Sequence, residues 1–246
     1  MTIKEILKTI KRRFIDRTDF GLQNEFNRTS WIKKTLESLP EGKRILDAGA
    51  GELKYKQYCT HLDYVSQDFA QYDGLGDSVG LQRGIWDNSK LDIVSDITNI
   101  PETDESFDII MCIEVFEHLP SPIDAIKEFS RLLKKDGILI ITAPFASLTH
   151  FAPYHFYSGF NKYFYEKHLV DYGFEIKEIQ RNGSFFEYLA QEIQSRIPNQ
   201  YTKYTPTLKE KMAIRTMLNM LKKMDKSDDK SSELLTFGYH VKAIKK

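Results

Sequence analysis

Short apolar runs recur along the first two thirds of the chain, and each is bounded by glycine or by polar residues. The runs are RILDAG (44–49), DYVSQDF (63–69), LDIVSD (91–96), FDIIMCIEV (107–115) and GILIITAP (137–144). Runs of this length are typical of β-strands, and the nearly continuous apolar character of the last two indicates burial on both faces of a parallel sheet. The pattern therefore predicts one strand for each run.

Helical spacing replaces the strand pattern between residues 121 and 137. The apolar stripe consists of Ile123, Ile126, Phe129, Leu132 and Leu133. Ser121 is predicted as the N-cap and Pro122 as the first helical residue, and Asp124 completes a capping box. Because strands and helices alternate, the pattern predicts an α/β fold with a Rossmann-like, doubly wound, mostly parallel sheet.

The two ends of the chain carry further helical patterns. The first 17 residues combine six basic and two acidic residues with an apolar face of Ile3, Ile6, Leu7, Ile10 and Phe14. We predict a helical cap packed on its own domain, with contact to a membrane or partner as the alternative. A lysine-rich helix at 204–224 is predicted as an insertion before LTFGYHVKAIKK, a closing edge strand that runs antiparallel. The prediction is one domain, 1–246, with a cap at 1–40, a cofactor-binding core at 41–182, and the insertion and closing strand at 183–246.

Composition limits the class of protein and its partners. With 35 basic and 35 acidic residues the formal net charge is zero, so a nucleic acid would need a local basic patch and is not favoured as partner. Two cysteines cannot build a disulfide framework, which favours a reducing, cytoplasmic compartment. No apolar run approaches the roughly 20 residues that a transmembrane helix needs, and the N-terminus lacks the apolar core of a signal peptide.

The first strand leads into a glycine turn whose spacing distinguishes between cofactors. Gly49 and Gly51 follow Asp47, but Leu53 and Lys54 stand where glycine fingerprints have their third glycine. That glycine lets a helix pack beneath a pyrophosphate, so its loss weakens a dinucleotide site. No G-K-[ST] follows, which excludes a P-loop. S-adenosylmethionine carries no phosphate and tolerates the change.

Two aspartates occupy the positions that such a cofactor needs. Asp68 ends the second run, 21 residues after Asp47, where a carboxylate can accept from both ribose hydroxyls. Asp96 ends the third run and can accept from an adenine amino group. Ligands of doubly wound sheets bind at the carboxyl ends of the strands, so these side chains are expected to share one site.

At this point the chain resembles the class I S-adenosylmethionine-dependent methyltransferases, and in particular their type 11 small-molecule group. The resemblance covers roughly residues 30–182 and is carried by ILDAGAG, YVSQDF, GF at 173–174 and the run from Asp96 to Pro144. It implies S-adenosylmethionine as cofactor. The cofactor-binding residues that it implies are Asp47, Gly49 and Gly51 on the methionine side, Asp68 at the ribose, Phe69, Asp96 and Ile97 at the adenine, and Glu114 beside the sulfonium. Leu53 departs from the family's frequent glycine, and we interpret the change as tolerable because the position lies past the turn.

The acceptor side is predicted from histidines near the ends of the fourth and fifth runs. A sugar hydroxyl is a poor nucleophile and gains from a general base, for which a histidine is suited at neutral pH. His118, directly after the fourth strand, and His155, in an aromatic-rich loop after the fifth, are the candidate bases, with Glu117 as a third catalytic candidate. His150 lies nearby. For His118 the alternative is a structural role at a helix start, and for the aromatic loop it is ordinary lid packing.

A divalent metal is a further possibility, although it is not favoured. Glu114, Glu117 and His118, with a later histidine, resemble the metal set of small-RNA 2′-O-methyltransferases and of some ubiquinone-pathway O-methyltransferases. Since similar letters occur in metal-free relatives, no metal ligand is assigned.

The predicted function is O-methylation of a small hydroxylated acceptor. A sugar or sugar nucleotide is the leading candidate, because chains with this combination resemble methyltransferases of bacterial surface-polysaccharide synthesis. The alternatives are N- or carboxyl-methylation of a small metabolite, a non-catalytic S-adenosylmethionine-binding module, and, last, a reductase.

Overall fold

The computed structural model describes residues 19–196 and 204–246. The helix predicted in the first 17 residues lies outside these ranges. The described residues form two compact units. The larger consists of Arg28–Asn182 and Gly238–Lys246, and the smaller of Gly183–Phe237 with the segment that ends at Asn27. The single domain with its three segments stays a prediction.

Within the described residues, the larger unit carries a seven-stranded sheet. Its strands are β1 (Arg44–Ala48), β2 (Asp63–Asp68), β3 (Ile93–Val94), β4 (Phe107–Ile113), β5 (Leu133–Pro144), β6 (Phe174–Asn182) and β7 (Gly238–Lys245). They lie in the order β3-β2-β1-β4-β5-β7-β6, with β1 to β5 parallel and β7 antiparallel to both of its neighbours. This confirms the predicted Rossmann-like, mostly parallel sheet with an antiparallel last strand.

Helices cover both faces of this sheet. In its central strands, the side chains that point to one face and those that point to the other are both apolar. On β4, Ile109 and Met111 belong to an apolar cluster with α1 (Asn24–Glu37). Ile110 and Cys112 belong to the opposite cluster, which contains residues of α2 (Pro122–Leu132) and α3 (Lys162–Asp171). Burial of each such side chain contributes about 1.5–3 kcal/mol. The two clusters hold helices on both faces of the sheet, and a cavity lies at the carboxyl ends of its strands.

Helix α2 begins at Pro122, as predicted, but its first turn is not closed by the predicted capping box. The Ser121 hydroxyl donates to the carboxylate of Asp124 and does not accept from a backbone N–H of the helix. The Asp124 amide instead donates to the Ser121 carbonyl.

The regular alternation of strands and helices fails between β1 and β2. Residues 49–62 form successive turns and the short 3₁₀-helix Lys56–Tyr58. Between β2 and β3 the chain forms a long loop. In the first crossover, turns and a 3₁₀-helix thus replace the expected α-helix.

The predicted position of the last strand at the sheet edge is wrong. β7 lies between β5 and β6, and β6 forms the edge. His240, in β7, is therefore only 2% exposed and stacks on Trp31 with a ring separation of 4.9 Å. Burial lowers the pKa of His240 to about 4, and the nearby charge of Arg28 adds to the effect. A strand that is apolar at alternate positions is interpreted from sequence as an edge strand. Here β7 has antiparallel partners on both sides, β5 and β6.

The smaller unit is helical in its described part. It contains α4 (Phe185–Gln191), a π-helical turn (Glu192–Arg196) and α5 (Leu208–Lys226). Helix α5 is the lysine-rich helix that was predicted at 204–224. Its apolar cluster contains Phe20, Ala190, Leu218 and Leu221. None of the helices in the described ranges is long and apolar enough to cross a membrane.

Candidate active site

A cavity of about 980 Å³ lies at the carboxyl ends of β1, β2, β3 and β4. All eight residues predicted to bind the cofactor line it: Asp47, Gly49, Gly51, Asp68, Phe69, Asp96, Ile97 and Glu114. Glu117 and His118 line it as well, whereas His155 is not among the lining residues. Small-molecule sites span roughly 300–1,000 Å³, so this cavity has room for a cofactor and an acceptor together.

The glycine turn after β1 is fastened to the end of β2. Both amide groups of Gly49 and Ala50 donate to the Gln67 carbonyl, at 2.8 and 2.9 Å. The Gly51 amide donates to the Asp68 carboxylate at 3.0 Å. Gly51 has φ +50°, and a Cβ there would stand 2.6 Å from the Trp86 ring. Glycine is required at this position by the close contact as well as by the dihedral angle.

Leu53 occupies a conformation that favours glycine. Its φ is +60°, and it lies within the run of turns that joins β1 to the 3₁₀-helix. The interpretation that this position lies past the turn is therefore wrong. A non-glycine residue with this dihedral costs roughly 1–2 kcal/mol, which the surrounding structure has to supply.

Burial sets the protonation of the two acids nearest the turn. Asp47 is 2% exposed and accepts a hydrogen bond from the Tyr64 hydroxyl at 2.6 Å. Burial raises the pKa of Asp47 to about 7 despite that hydrogen bond. Burial also raises the pKa of Asp68, while backbone donors, among them the amides of Ala70 and Gly51, oppose the rise. Asp68 thus sits in the wall as an acceptor held by the backbone.

Asp96 lies at the rim of the cavity and is exposed. One of its carboxylate oxygens accepts from the amide and the hydroxyl of Thr98, both at 2.8 Å. Its neighbour Ile97 is buried. Phe69 meets Tyr154 edge to face at 4.9 Å, across the cavity wall. The assigned contacts of these residues with ribose and adenine stay predictions.

Glu114 follows β4 and holds its carboxylate between two donors. The Arg28 guanidinium donates to Oε2 at 2.9 Å, and the Thr142 hydroxyl donates to Oε1 at 2.8 Å. Glu114 also has φ +56°, a conformation that is uncommon for a residue with a side chain. Sequence reasoning did not identify Arg28, because nothing in helix α1 signals a partner 86 residues away.

Two histidines face the carboxylate of Glu117. The Nε2 atoms of His118 and His150 lie 3.7 and 3.8 Å from the same oxygen, Oε1. The Nδ1 atom of His118 is 2.5 Å from the Tyr154 carbonyl, and that of His150 is 2.8 Å from the Leu148 carbonyl. Since a carbonyl only accepts, each Nδ1 carries a proton, and the Nε2 atom of each ring is the one that faces Glu117.

Burial disfavours the charged forms of Glu117 and His118 in this cluster. Glu117 is 1% exposed, and within the described residues its Oε2 has no hydrogen-bond partner. Burial and the charge of Glu114 raise the pKa of Glu117 well above its usual value. Burial and the nearby His150 lower the pKa of His118 to about 3, which keeps that ring neutral. One ligand atom from each of Glu117, His118 and His150 lies within 4.8 Å of the others.

His155 lies beside this cluster. Its ring centre is 4.8 Å from that of His150 and 6.0 Å from that of His118. Its Nε2 is 3.1 Å from the Ser147 hydroxyl, which donates to the Ser158 carbonyl and so accepts from the imidazole. Burial lowers the pKa of His155. Its role as a base stays a prediction.

The pairing of two long loops brings His150 into the site. The Leu81 amide donates to the Thr149 carbonyl at 3.0 Å, and the Phe151 amide donates to the Leu81 carbonyl at 2.9 Å. The loops also bring Tyr72 and Trp86 to within 4.7 and 5.6 Å of the Phe151 ring. The aromatic-rich loop was a visible signal, but its partner loop and the inward direction of His150 were not.

Comparison with known proteins places the chain among methyltransferases. The profile of a family described as "Methyltransferase domain" matches residues 23–197. A tRNA (carboxymethyluridine(34)-5-O)-methyltransferase from Arabidopsis thaliana is 28% identical over 141 residues, which are 54% of this chain and 33% of that protein. A ubiquinone biosynthesis O-methyltransferase from Glaesserella parasuis serovar 5 is 31% identical over 109 residues, 41% of this chain and 45% of that protein. The matches span less than half of either relative.

A solved structure shares the fold over nearly the whole chain. The SAM-dependent methyltransferase from Archaeoglobus fulgidus superposes with a TM-score of 0.51 at 15% identity, covering 97% of this chain and 99% of that one. At this identity the likeness concerns the fold alone.

Proposed function

We propose that the chain, which belongs to the family described as "Methyltransferase domain", is an S-adenosylmethionine-dependent methyltransferase that methylates a hydroxyl oxygen of a small acceptor. We further propose that Glu117, His118 and His150 hold a divalent metal ion beside that oxygen. One observation carries both: a buried carboxylate, faced by the Nε2 atoms of two imidazoles, lies in the wall of the cofactor cavity.

The residues at the carboxyl ends of β1 and β2 fit the cofactor. S-adenosylmethionine supplies a reactive methyl group on a sulfonium when bound, so the protein's task is to orient the acceptor and to exclude water. Gly49 and Gly51 leave the turn free of side chains, and Asp68 is fixed as an acceptor by backbone donors.

The cluster suits an ion better than it suits proton transfer by histidine alone. A base with a pKa of about 3, as for His118, is a weak acceptor of a hydroxyl proton near neutral pH. Two neutral imidazoles and a carboxylate are instead a common donor set for divalent transition metals. A divalent ion would lower the pKa of a bound hydroxyl.

The distances and supports agree with this assignment. Two ligands at tetrahedral angles, each ~2.1 Å from an ion, lie about 3.4 Å apart, close to the 3.7 and 3.8 Å found here. The carbonyls behind each Nδ1 fix the tautomer that ligation needs. The Glu117 carbonyl accepts from the amides of Phe156 and Tyr157, which holds the loop after β5 over the cluster.

The acceptor itself is supported only as a class. Both curated relatives carry names that specify transfer to oxygen, which favours O-methylation over N-methylation. A sugar or sugar nucleotide stays a prediction. Within the described residues, the lysine and arginine in the cavity wall are Lys54 and Arg83. Arg83 lies over Trp86, which packs on the glycine turn, so it supports the cofactor side more than an acceptor diphosphate.

The test is transfer of a labelled methyl group from S-adenosylmethionine to pools of small metabolites, one of them enriched in sugar nucleotides. The expected product is a methyl ether that survives mild alkali, formed in a reaction that EDTA stops and a divalent ion restores. An alkali-labile ester or an N-methyl product would overturn the hydroxyl acceptor. Undiminished transfer in EDTA would overturn the metal.

A further inference from the structure

Arg28 occupies an unusual place for a basic side chain beside a candidate metal site. It reaches from helix α1 to Glu114, whose carboxylate it meets at 2.9 Å. The two side chains are 16% and 27% exposed, so the ion pair is largely withdrawn from water. Thr142 occupies the other oxygen of Glu114 at 2.8 Å. Both oxygens of this cavity-lining carboxylate are therefore held by donors of the protein.

Glu114 shares a cavity with Glu117 of the cluster. The two carboxylates follow the same strand, three residues apart, and both line the cavity. In spite of this, the groups that converge on one point are Glu117, His118 and His150, without Glu114.

We propose that Arg28 determines which metal the site accepts, by holding Glu114 out of the ligand set. The inference rests on the metal proposed above. With the ion pair intact, the site offers two imidazoles and one carboxylate, a set that suits borderline ions such as Co²⁺. Without the guanidinium, Glu114 is an unneutralised carboxylate beside Glu117, and the site becomes harder and more anionic.

A second carboxylate ligand has a specific consequence for selectivity. Oxygen-rich, anionic sites suit Mn²⁺ and Mg²⁺, whereas imidazole suits the later transition metals. Loss of the Arg28 charge should therefore strengthen Mn²⁺ binding more than Co²⁺ binding. Arg28 acts through Glu114 and is a positioning residue, so the ratio of the two affinities is the quantity to measure.

The experiment is calorimetric titration of the full chain with CoCl₂ and, separately, with MnCl₂. Arg28→Met keeps most of the aliphatic stem and removes the charge, while Arg28→Lys keeps a cationic donor. We expect Arg28→Met to raise the ratio of Mn²⁺ to Co²⁺ affinity by about tenfold or more, the scale on which groups that tune ligands act. Arg28→Lys should stay near the wild-type ratio, and Arg28→Met/Glu114→Gln should return to it.

Several outcomes would overturn the inference. If the wild type binds Co²⁺ and Arg28→Met leaves the ratio of Mn²⁺ to Co²⁺ affinity unchanged, the metal proposal is supported and the proposed role of Arg28 is wrong. If the wild type binds neither ion, the metal proposal falls and this inference with it. Should Arg28→Met fail to fold, Glu114→Gln decides instead. It should leave wild-type Co²⁺ affinity in place, and a loss as large as that of Glu117→Gln would show that Glu114 is a ligand.

Discussion

Asp68, at the end of β2, accepts a hydrogen bond from the backbone N–H of Gly51, with 3.0 Å between Oδ2 and the nitrogen. The other carboxylate oxygen accepts from the amide of Ala70 at 2.9 Å. One side chain thus shapes the glycine turn after β1 and the start of the loop after β2. Two motifs that sequence presents as separate are one structural unit, and the same carboxylate faces the cofactor cavity.

Replacement of Asp68 should weaken cofactor binding. Asp68→Asn keeps one acceptor oxygen but loses a charge-assisted hydrogen bond, worth about 1.5–3 kcal/mol. We expect the Kd for S-adenosylhomocysteine, measured by calorimetry, to rise by roughly 10- to 100-fold. Asp63→Asn, at the exposed start of the same strand, is the matched control and should bind as the wild type does. Equal losses in both variants would contradict a specific role for Asp68.

A methyl group at Gly51 should disturb the cavity more than one at Gly42. Both glycines have positive φ, +50° and +73°, so each alanine variant should lose about 1 kcal/mol of unfolding free energy. Only Gly51→Ala brings a Cβ to 2.6 Å from Trp86, while the position of a Cβ at Gly42 is open. Urea unfolding should therefore show a larger loss for Gly51→Ala than for Gly42→Ala, and calorimetry should show weaker cofactor binding for Gly51→Ala alone. Weakened binding in Gly42→Ala as well would point to a general effect of stability.

Substitution of His150 should lower the rate of methyl transfer much more than substitution of His155. His150→Ala and Glu117→Gln remove groups of the proposed metal site, so the rate should fall about 100-fold or more while the Kd for S-adenosylmethionine stays near the wild-type value. His155→Ala, which lies behind His150 and contacts Ser147, should lose less than about tenfold. Rates from labelled-methyl assays, with binding measured in parallel, check this. A loss in His155→Ala as large as that in His150→Ala would restore His155 as the base.

The buried Asp47 should make stability depend on pH. Its pKa is about 7 in the folded protein against an ordinary value of 3.8, so between pH 4 and 7 the folded state keeps a proton that the unfolded state has released. Stability therefore falls as pH rises through this range, by at most about 1.4 kcal/mol per pH unit. Urea unfolding should be measured for the wild type and for Asp47→Asn at several pH values. The unfolding free energy of the wild type should fall relative to that of Asp47→Asn as pH rises. Parallel curves would contradict the buried, protonated state.

The sequence predicted the central fold because its signals are local. The apolar run of β4, the glycine turn after β1 and the aspartate that ends β2 each lie within a few residues, and strand-end geometry gathers them at one edge. The predicted alternation implied a helix after every strand. The segment after Gly51 forms turns instead, and Leu53 adopts a positive φ there.

The rest of the site depends on contacts between distant segments. His150 reaches Glu117 because its loop pairs with the loop around Leu81, and Arg28 reaches Glu114 from another helix. No periodicity or spacing encodes such pairings. The proposed ligand set accordingly differs from the set suggested by sequence in one respect: it lacks Glu114, and the later histidine of that set is His150.

The most direct test of the account is calorimetric titration of the wild-type chain with S-adenosylhomocysteine and, in a parallel cell, with NADH. The cavity at the ends of β1, β2 and β4 predicts binding of one S-adenosylhomocysteine per chain, and no heat from NADH, since Leu53 and Lys54 replace the glycine that a pyrophosphate needs. Binding of NADH without binding of S-adenosylhomocysteine would contradict it.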